Sequence, residues 1–334
     1  MEPSLQQSLF GHYETFDTFK NLYLSKKFPN KIILSGEMGI GKCTLAYHLI
    51  NYTLSLNEDH SYDTKNYKIN SENKSFKLIK NKSNPNFNII DVEEGKKNID
   101  INQIRDLISN LNKSSFNEDP RFVLIDNINL LNLNSVNALL KVIEEPNDNI
   151  NFILINSNKR VLPTLKSRCI NFKISLSKNQ TTEIANMIIN QDIYDIFNEE
   201  LINYYTTPGQ LLKILKVSEE FEIDVKNLSL KDFLLLIIKN KLYKKDKILI
   251  ELTYGFIENY FRSKVNIKKV EILNYYNFFL KKIKNTKIYS LDEETHYMEY
   301  EDPMINGKKF LHHNINILPL CKATRRSALL SYCE

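Results

Sequence analysis

The sequence predicts an α/β protein in which a parallel sheet is covered by helices on both faces and is followed by helices alone. In the first half of the chain, short apolar runs of strand length alternate with segments of helical periodicity, and these runs are residues 31–34, 87–92, 121–126 and 151–155. Such alternation is typical of a parallel sheet whose crossover helices pack on both faces. After Phe172 the pattern changes, because helical segments rich in Leu, Ile, Tyr and Phe continue to about residue 283.

Helical segments occupy most intervals between the predicted strands. A helical pattern through Phe16 and Phe19 precedes the first strand. The D-x-x-Q sequence from Asp100 resembles a capping box and opens a segment with one apolar face that ends near Leu111. Residues 135–145 form a strongly helical segment that Pro146 closes.

Two further stretches complete the prediction. Residues 55–86 are polar and only weakly periodic, so we expect an extended helix end and a mobile insertion there. Beyond Phe172, helices are predicted at residues 177–189, 193–205, 210–215 and 233–238, with a turn at Thr207-Pro208-Gly209 and a capping box at residues 229–232.

The composition indicates a globular protein of two or three domains in a reducing compartment. The chain has 334 residues, 42% hydrophobic and 25% charged, with a net charge of +5. Its 4 cysteines include no CxxC pair, so neither a structural zinc site nor a disulfide framework is predicted. The N-terminus has no signal-peptide pattern, and the longest apolar run, residues 233–238, is too short to span a bilayer. We therefore expect a cytoplasmic protein without a membrane association.

Residues 36–42, which we call the glycine loop, have the pattern of a phosphate-binding loop. The sequence Gly36-Glu37-Met38-Gly39-Ile40-Gly41-Lys42 follows an apolar strand and precedes a helical segment, and it contains three of the 8 glycines of the chain. Glycine lets backbone N–H groups approach an anion closely, and a helix N-terminus adds a partial positive charge. Lys42 is placed to reach the terminal phosphates. The loop therefore predicts ATP or ADP binding.

One position of this motif departs from the pattern. The residue after the lysine is normally Ser or Thr, whose hydroxyl binds Mg²⁺, but here it is Cys43. A neutral thiol is a poor ligand for Mg²⁺, which prefers oxygen. Thr44 follows one position later, about 100° further round the helix, and is an uncertain substitute. We expect a weak or only structural nucleotide site, and Mg²⁺ binding stays open.

The strand at residues 121–126 ends in Asp126, the place where phosphate-loop ATPases carry an aspartate that supports Mg²⁺. An aspartate that merely favours a turn is the alternative reading. The next residue is Asn127, at the position where the ATP-hydrolysing members of the family that the chain resembles, named below, carry a glutamate that activates water. An amide cannot accept a proton from water in this way, so two catalytic oxygens, at positions 43 and 127, are missing.

Four stretches together resemble the AAA+ clamp-loader family of bacterial DNA replication. They are Leu9-Phe10-Gly11-His12, the glycine loop, the helix that contains residues 137–141 and Glu144-Glu145-Pro146, and residues 162–169 with the sequence Ser167-Arg168-Cys169. The resemblance covers residues 9–172, and the pairing of this helix with the Ser-Arg-Cys motif is specific to clamp loaders, whereas a phosphate-binding loop alone is not.

This resemblance implies a domain order and a set of partners. It implies an α/β AAA+ P-loop domain at residues 1–173, a small helical lid at 174–218 and an all-helical collar at 219–288, while the tail at 289–334 does not match the collar's last helix. It implies that Arg168 reaches ATP on a neighbouring subunit as an arginine finger in trans. The implied partners are the motor subunit and the delta subunit of a five-subunit ring, with the sliding clamp and primed DNA contacted mostly indirectly.

Departures from the family pattern favour a subunit that is not a motor. Cys43 and Asn127 both weaken hydrolysis, and Gln210 is uncharged where motor subunits carry an arginine that senses nucleotide. Many relatives also bind zinc through cysteines in the region between Cys43 and Cys169, where this chain has none, so no zinc is expected.

The predicted function is therefore a non-motor subunit of the DNA polymerase III clamp loader, a component of a polymerase holoenzyme (a nucleotidyltransferase) with weak or absent ATP hydrolysis of its own. An active AAA+ ATPase, such as a motor subunit, is the first alternative, and an adaptor with no replication role is the second. Direct DNA contact through lysines at 244–245 and 281–284 stays open in so lysine-rich a chain.

Overall fold

Five parallel strands form one sheet in the computed structural model, which describes residues 2–264, apart from 94–95, 97, 113–118, 145–148, 158–160, 203–205 and 245–246, together with residue 281. The strands are β1 (Lys31–Gly36), β2 (Phe87–Ile90), β3 (Arg121–Ile125), β4 (Ile150–Ser157) and β5 (Ile170–Lys173). Their order across the sheet is β2-β3-β4-β1-β5, and each pairing is parallel. The predicted parallel α/β sheet is confirmed.

Helices occupy the crossovers and the region after the sheet. Those of the first part are α1 (Tyr13–Leu24), α2 (Lys42–Leu54), α3 (Lys74–Lys80), α4 (Ile101–Leu111), α5 (Leu133–Glu144) and α6 (Pro163–Lys166). Those after the sheet are α7 (Lys178–Ile189), α8 (Ile193–Ile196), α9 (Pro208–Glu220), α10 (Leu230–Lys239) and α11 (Lys247–Lys264), and short 3₁₀ turns lie at Pro3–Leu5, Ile128–Leu130 and Leu242–Lys244.

The sheet is buried on both faces, which explains why its inner strands are continuous apolar runs. Ile32 and Leu34 of β1 belong to one core with Phe16 of α1, whereas Ile33 belongs to a second core on the opposite face with Leu139 of α5. Alternate residues of a strand point to opposite faces, so one strand contributes to both cores. This packing fixes β1, and therefore the start of the loop that follows it, between β4 and the edge strand β5.

Several element predictions need correction. The prediction of a mobile insertion at 55–86 is wrong, because Tyr62, Ile69, Phe76 and Ile79 there are buried in the first core and α3 lies within the stretch. The sequence patterns also missed β5, whose residues are mostly exposed at the sheet edge and so lack an apolar run.

Two helices differ in extent from the prediction. Only residues 193–196 of the predicted helix at 193–205 are helical in the described part, since a bend follows and residues 203–205 lie outside it. The helix α9 is longer than predicted and runs to Glu220.

The chain divides into two compact units, Met1–Ser229 and Leu230–Glu334. In the first, the sheet is followed by α7, α8 and α9; in the second, α10 and α11 are the described α-helices. The predicted domain boundaries stay predictions, and the tail at 289–334 and the lysines at 245, 282 and 284 lie outside the described residues. Among the helices that are described, none has the length and hydrophobicity to cross a membrane.

Candidate functional site

The glycine loop lies at the carboxyl end of β1, between that strand and α2. Gly41 precedes the helix with φ of +93°, and Gly39 has φ of +84°, conformations that side chains of L-residues rarely adopt. A Cβ atom on Gly36 would lie 2.2 Å from the carbonyl oxygen of Ile174, and one on Gly39 would lie 2.5 Å from Oγ1 of Thr207. The glycines are therefore needed both for the curvature of the loop and for the close approach of residues beyond the sheet.

Lys42 is held inside the loop. The residue is 4% exposed, and its ammonium donates hydrogen bonds to the carbonyl oxygens of Gly36 at 2.9 Å and Glu37 at 2.6 Å. A buried ammonium needs such acceptors, because desolvating an unpaired charge is costly. An incoming phosphate would compete with these two carbonyl groups for the lysine. The ammonium group of Lys42 thus has acceptors within the loop itself, and its role as a phosphate ligand stays a prediction.

Cys43 and Asp126 meet at this edge of the sheet. The thiol of Cys43 donates a hydrogen bond to the carboxyl group of Asp126, which follows β3. Burial, and next the charge of Asp126, raises the pKa of Cys43 well above its usual value. Burial, and next the charge of Asp91, raises the pKa of Asp126 to about 6. At neutral pH the thiol of Cys43 therefore stays neutral, whereas Asp126 is mostly ionised although its surroundings disfavour the charge.

This pair does not fit a magnesium ion. The position that supplies a hydroxyl in magnesium-dependent phosphate loops carries a thiol that stays neutral, and the same thiol engages Asp126. Thr44 occupies the next position of α2 and is half-buried, and the contact with Asp126 is made by Cys43. Among the residues that the structure describes, no group of three or more His, Cys, Asp or Glu side chains is arranged to hold a metal ion.

Asn127 occupies the position expected for a water-activating base. Its φ of +55° is left-handed, a conformation that asparagine tolerates better than most residues. Its backbone N–H donates to Oδ1 of Asp126 at 2.8 Å, and its side-chain amide donates to Oδ1 of Asp91 at 3.3 Å. Asn127 therefore contacts one carboxyl group through its backbone and another through its side chain, and the side-chain amide is not placed as a base.

His12 supports the loop from the N-terminal side. Its Nε2 lies 2.6 Å from the carbonyl oxygen of Ile40, so in this arrangement Nε2 is the protonated nitrogen and donates. Burial lowers the pKa of His12, and the nearby charge of Lys42 acts in the same direction. A neutral histidine thus fixes the backbone one residue before Gly41.

The start of α9 packs directly on the glycine loop, and we call this the loop–helix contact. Oγ1 of Thr207 donates to the carbonyl oxygen of Met38 at 2.8 Å, and the N–H of Gly209 donates to that of Gly39 at 2.9 Å. Gln210 completes a capping box with Thr207 by accepting the N–H of that residue at 2.9 Å. Its side chain therefore serves the helix start.

Arg168 lies between α6 and β5, with 35% of its side chain exposed. Its guanidinium donates to Oε1 of Glu144 at 2.5 Å, to the carbonyl oxygen of Thr164 at 3.0 Å and to Oγ of Ser167 at 3.2 Å. All three acceptors belong to its own chain. The role of Arg168 as a finger for a neighbouring subunit stays a prediction.

Sequence reasoning gave no contact partner to three side chains: Asp91 and Thr207, which lie at this edge of the sheet, and Glu144, which ends the helix that precedes β4. Asp91 follows β2 as Asp126 follows the adjacent β3, so the neighbouring strand ends were the available signal. A cavity of about 250 Å³ also lies near the ends of β3 and β4, lined by Ile128, Asn129, Leu131, Asn156, Val161, Leu162 and Leu165. Its lining was not predictable without the strand order.

Comparisons with known proteins give consistent matches. A profile of the family described as "DNA polymerase III, delta subunit" matches residues 11–178, about half of the chain. The "DNA polymerase III subunit delta'" of Pseudomonas aeruginosa is 31% identical over 139 residues, which cover 41% of this chain and 40% of that protein. The delta' subunit of Buchnera aphidicola subsp. Schizaphis graminum is 26% identical over 281 residues, covering 79% of this chain and 81% of that protein.

The fold is similar to that of a solved structure, a DNA polymerase III, gamma subunit-related protein from Thermotoga maritima. The TM-score is 0.51 at 18% identity, with 86% of this chain and 98% of the other covered. The first two delta' relatives, from Pseudomonas aeruginosa and from Buchnera aphidicola subsp. Baizongia pistaciae, are matched over only 40% and 48% of their own lengths.

Proposed function

The chain belongs to the family described as "DNA polymerase III, delta subunit", and from this premise we propose that it is a delta-prime-type, non-motor subunit of a clamp loader. In this role it binds the motor and delta subunits of a ring and supports ATP-dependent loading of the sliding clamp on primed DNA. Arg168 contributes to an ATP site on the adjacent subunit, while the chain's own site hydrolyses little or no ATP.

The observation that most supports this proposal is the chemistry around Asp126. Hydrolysis in phosphate-loop ATPases needs a metal-binding hydroxyl and a residue that positions water. Here a neutral thiol contacts Asp126, and Asn127 donates to Asp126 through its backbone N–H and to Asp91 through its side-chain amide. Neither group can take up a proton from water at neutral pH, so the local chemistry favours binding without turnover.

A nucleotide would be held by the parts of the site that remain intact. Gly36, Gly39, Gly41 and Lys42, with Cys43 and Thr44 in the first turn of α2, would surround the phosphates of ATP or ADP. Binding must displace the carbonyl groups that Lys42 now contacts and must accommodate the loop–helix contact. Both requirements favour weak binding, because part of the binding free energy is used to break existing hydrogen bonds.

The chain alone provides the first test. We expect the purified chain to hydrolyse ATP no faster than background, because the groups for metal binding and water activation are absent. Turnover near one per second, an ordinary value for a working ATPase, would contradict the proposal. A Lys42→Ala variant is the control for a contaminating enzyme, since a contaminant's activity would survive it.

The assembled loader provides the second test. Replacing Arg168 by alanine should leave assembly intact and lower the DNA-stimulated ATPase, by up to about 10³–10⁵ in the single site that it serves. The matched control is Arg105→Ala, at an exposed arginine of α4. Wild-type ATPase activity in the Arg168 variant would place the finger elsewhere.

An active motor ATPase is the second candidate, and the presence of both Lys42 and Asp126 favours it. It predicts turnover by the chain alone, so the first test separates it from the main proposal. An adaptor outside replication is separated by co-purification with a motor subunit, and the stoichiometry of that complex gives the ring composition.

A further inference from the structure

Arg168 is held by acceptors from two different elements. Thr164 and Ser167 lie within four residues of it, and both accept from Nη1, so they restrain one corner of the guanidinium. Nη2 donates to Oε1 of Glu144 at 2.5 Å, and Glu144 belongs to α5. Only this third contact ties the guanidinium to a long helix of the second core.

Glu144 lies at a position of its helix where an acidic side chain is unfavourable. Glu144 lies in the last turn of α5, as Lys141 does. The C-terminal end of a helix carries partial negative charge, so an acidic side chain there destabilises the helix. The guanidinium of Arg168 offsets this repulsion, and the contact between the two side chains is therefore what makes a glutamate favourable at this position.

The pair is also accessible and exchangeable. The side chains of Arg168 and Glu144 are 35% and 47% exposed. Ion pairs at such exposure are weak, because water and salt screen them. A phosphate group carries a higher charge, and two of its oxygens can accept parallel hydrogen bonds from the guanidinium, so it can replace Glu144 without a large cost.

We propose that Glu144 is the positioning residue of Arg168: it holds the guanidinium in one orientation before a neighbouring nucleotide arrives and releases it to that nucleotide. This inference rests on the proposed function, in which Arg168 acts in trans. A side chain that is already oriented loses less rotamer freedom when it binds, so positioning favours the step in which the phosphate charge is contacted. Without Glu144 the arginine samples more orientations and contacts the phosphate less often.

The first experiment measures the restraint in the chain by itself. Phenylglyoxal modifies arginine side chains, and peptide mass spectrometry gives the rate for each arginine. In Glu144→Gln and Glu144→Ala we expect Arg168 to react faster than in the wild type, by up to about fivefold, the factor that a surface ion pair supplies. Arg105 is the internal reference and should keep its rate. An unchanged rate at Arg168 in both variants would overturn the proposal.

The second experiment is a double-mutant cycle in the clamp loader assembled from this chain and its partner subunits. We expect Glu144→Ala to lower the kcat of DNA-stimulated ATP hydrolysis about threefold to tenfold with little change in KM, because orientation is lost while substrate binding is kept. Glu144→Gln retains an acceptor oxygen and should recover part of the rate. The matched control is Glu72→Ala, which removes another exposed ion pair, the one with Lys77 at 2.6 Å.

The background without the arginine distinguishes positioning from a structural role. In Arg168→Ala, adding Glu144→Ala should have no further effect on kcat, since the residue acts only through the guanidinium. An equal loss in both backgrounds would mean that Glu144 supports the fold, and the positioning role would be rejected. If Arg168→Ala itself leaves the rate unchanged, the proposed function fails; if only Glu144→Ala leaves it unchanged, the positioning role alone fails.

Discussion

Asp126 is held where its charge is costly. Burial and the neighbouring Asp91 raise its pKa from the ordinary 3.8 to about 6, so the folded chain binds a proton there more tightly than the unfolded chain does. A raised carboxyl pKa lowers the free energy of unfolding as pH rises from about 3.8 through about 6. At neutral pH the ionised Asp126 therefore lowers the free energy of unfolding by nearly the full amount. Such costly charged groups are common at functional sites.

Replacing Asp126 by asparagine should therefore stabilise the protein in a pH-dependent way. At pH 8 we expect the variant to gain about 1–3 kcal/mol in the free energy of unfolding, the value of the pKa shift after an allowance for partial exposure. Near pH 4 the gain should vanish, because the wild-type carboxyl is then protonated in the folded state. Urea unfolding at a series of pH values measures the difference.

The control for this substitution is Asp106→Asn, at an exposed aspartate of α4. At pH 8 its free energy of unfolding should differ from that of the wild type by no more than about 0.5 kcal/mol, as is usual for a surface substitution. If Asp126→Asn were destabilising at pH 8, the carboxylate would have to make a favourable contact that outweighs the cost of its burial. The conclusion that the ionised Asp126 destabilises the folded chain would then be wrong.

Single residues were predictable where a local motif fixes their neighbours. Lys42 follows β1 and Asp126 follows β3, each in a sequence pattern only a few residues long. Both residues lie at the positions that these patterns predict. Asp91 and Glu144 were not assigned a role, because their partners are 35 and 24 residues away along the chain, at Asp126 and Arg168. Their chemistry depends on strand order and on helix packing, which no short motif contains.

At the scale of elements, the loop–helix contact joins the glycine loop to the start of α9. Two backbone groups of the loop accept hydrogen bonds from Thr207 and Gly209. A Cβ on Gly209 would lie 2.8 Å from Cα and 2.9 Å from the carbonyl oxygen of Gly39. The two elements can approach this closely only because both contact positions are glycine.

Gly209→Ala should therefore separate the two elements. Because the added methyl group meets backbone atoms that cannot rotate away, we expect a loss of about 1–3 kcal/mol in the free energy of unfolding. Limited proteolysis should cut near residue 209 faster than in the wild type, since the helix start loses its support. If both the free energy of unfolding and the cleavage rate were unchanged, the loop–helix contact would not contribute to stability.

The chain offers a matched control at Gly255, within α11. A Cβ there would meet no atom within 4 Å, so Gly255→Ala should stabilise its helix by up to about 1 kcal/mol through propensity alone. The two glycine substitutions are thus expected to have opposite signs. Loss of stability in both would point to a general effect of the extra methyl group.

Elements were predictable where burial gave a periodic pattern. The inner strands and the capped helix α4 follow such patterns, and Asp100 and Gln103 form the capping box that the sequence predicted. The edge strand β5 and the segment around α3 did not, for opposite reasons. The residues of β5 are mostly exposed, whereas Phe76 and Ile79 are buried among lysines and asparagines that hide their spacing.

At the scale of the molecule, the strand order brings distant chemistry together. The glycine loop follows β1, Asp126 follows β3, and β4 lies between these two strands. Ligands in such sheets bind beyond the carboxyl ends of the strands, where the chain changes direction. The resemblance implied this arrangement in general, but the contacts of Cys43 with Asp126 and of Thr207 with Met38 depend on the folded chain.

His48 gives the first unit a second dependence on pH, of the opposite sign to that of Asp126. It is fully buried in α2, with Nδ1 2.8 Å from the hydroxyl of Tyr62 and Nε2 3.1 Å from the carbonyl oxygen of Gln6. Burial lowers its pKa from 6.5 to about 4. The folded state therefore keeps the imidazole neutral over a range in which the unfolded chain protonates it.

Stability from His48 should consequently be complete above pH 6.5 and should fall as pH drops toward about 4. The total loss is about 3 kcal/mol, the free energy that corresponds to the pKa difference. We expect His48→Gln to be less stable than the wild type at pH 7, because glutamine cannot make both contacts at the imidazole's geometry, but to have a flatter pH profile. The gap between the two should narrow as pH falls from 7 to 5.

Urea unfolding at half-unit intervals of pH measures this difference in the free energy of unfolding. The contribution of Asp126 cancels in the difference, because both proteins contain that residue. The control is His60→Gln, at an exposed histidine of the same unit, which should change the free energy of unfolding at pH 7 by no more than about 0.5 kcal/mol. If the His48→Gln profile runs parallel to the wild type between pH 7 and 5, then the buried imidazole is protonated in the folded state. In that case the carbonyl oxygen of Gln6 and the hydroxyl of Tyr62, both of which can accept from an imidazolium, would have to outweigh the cost of burying the charge.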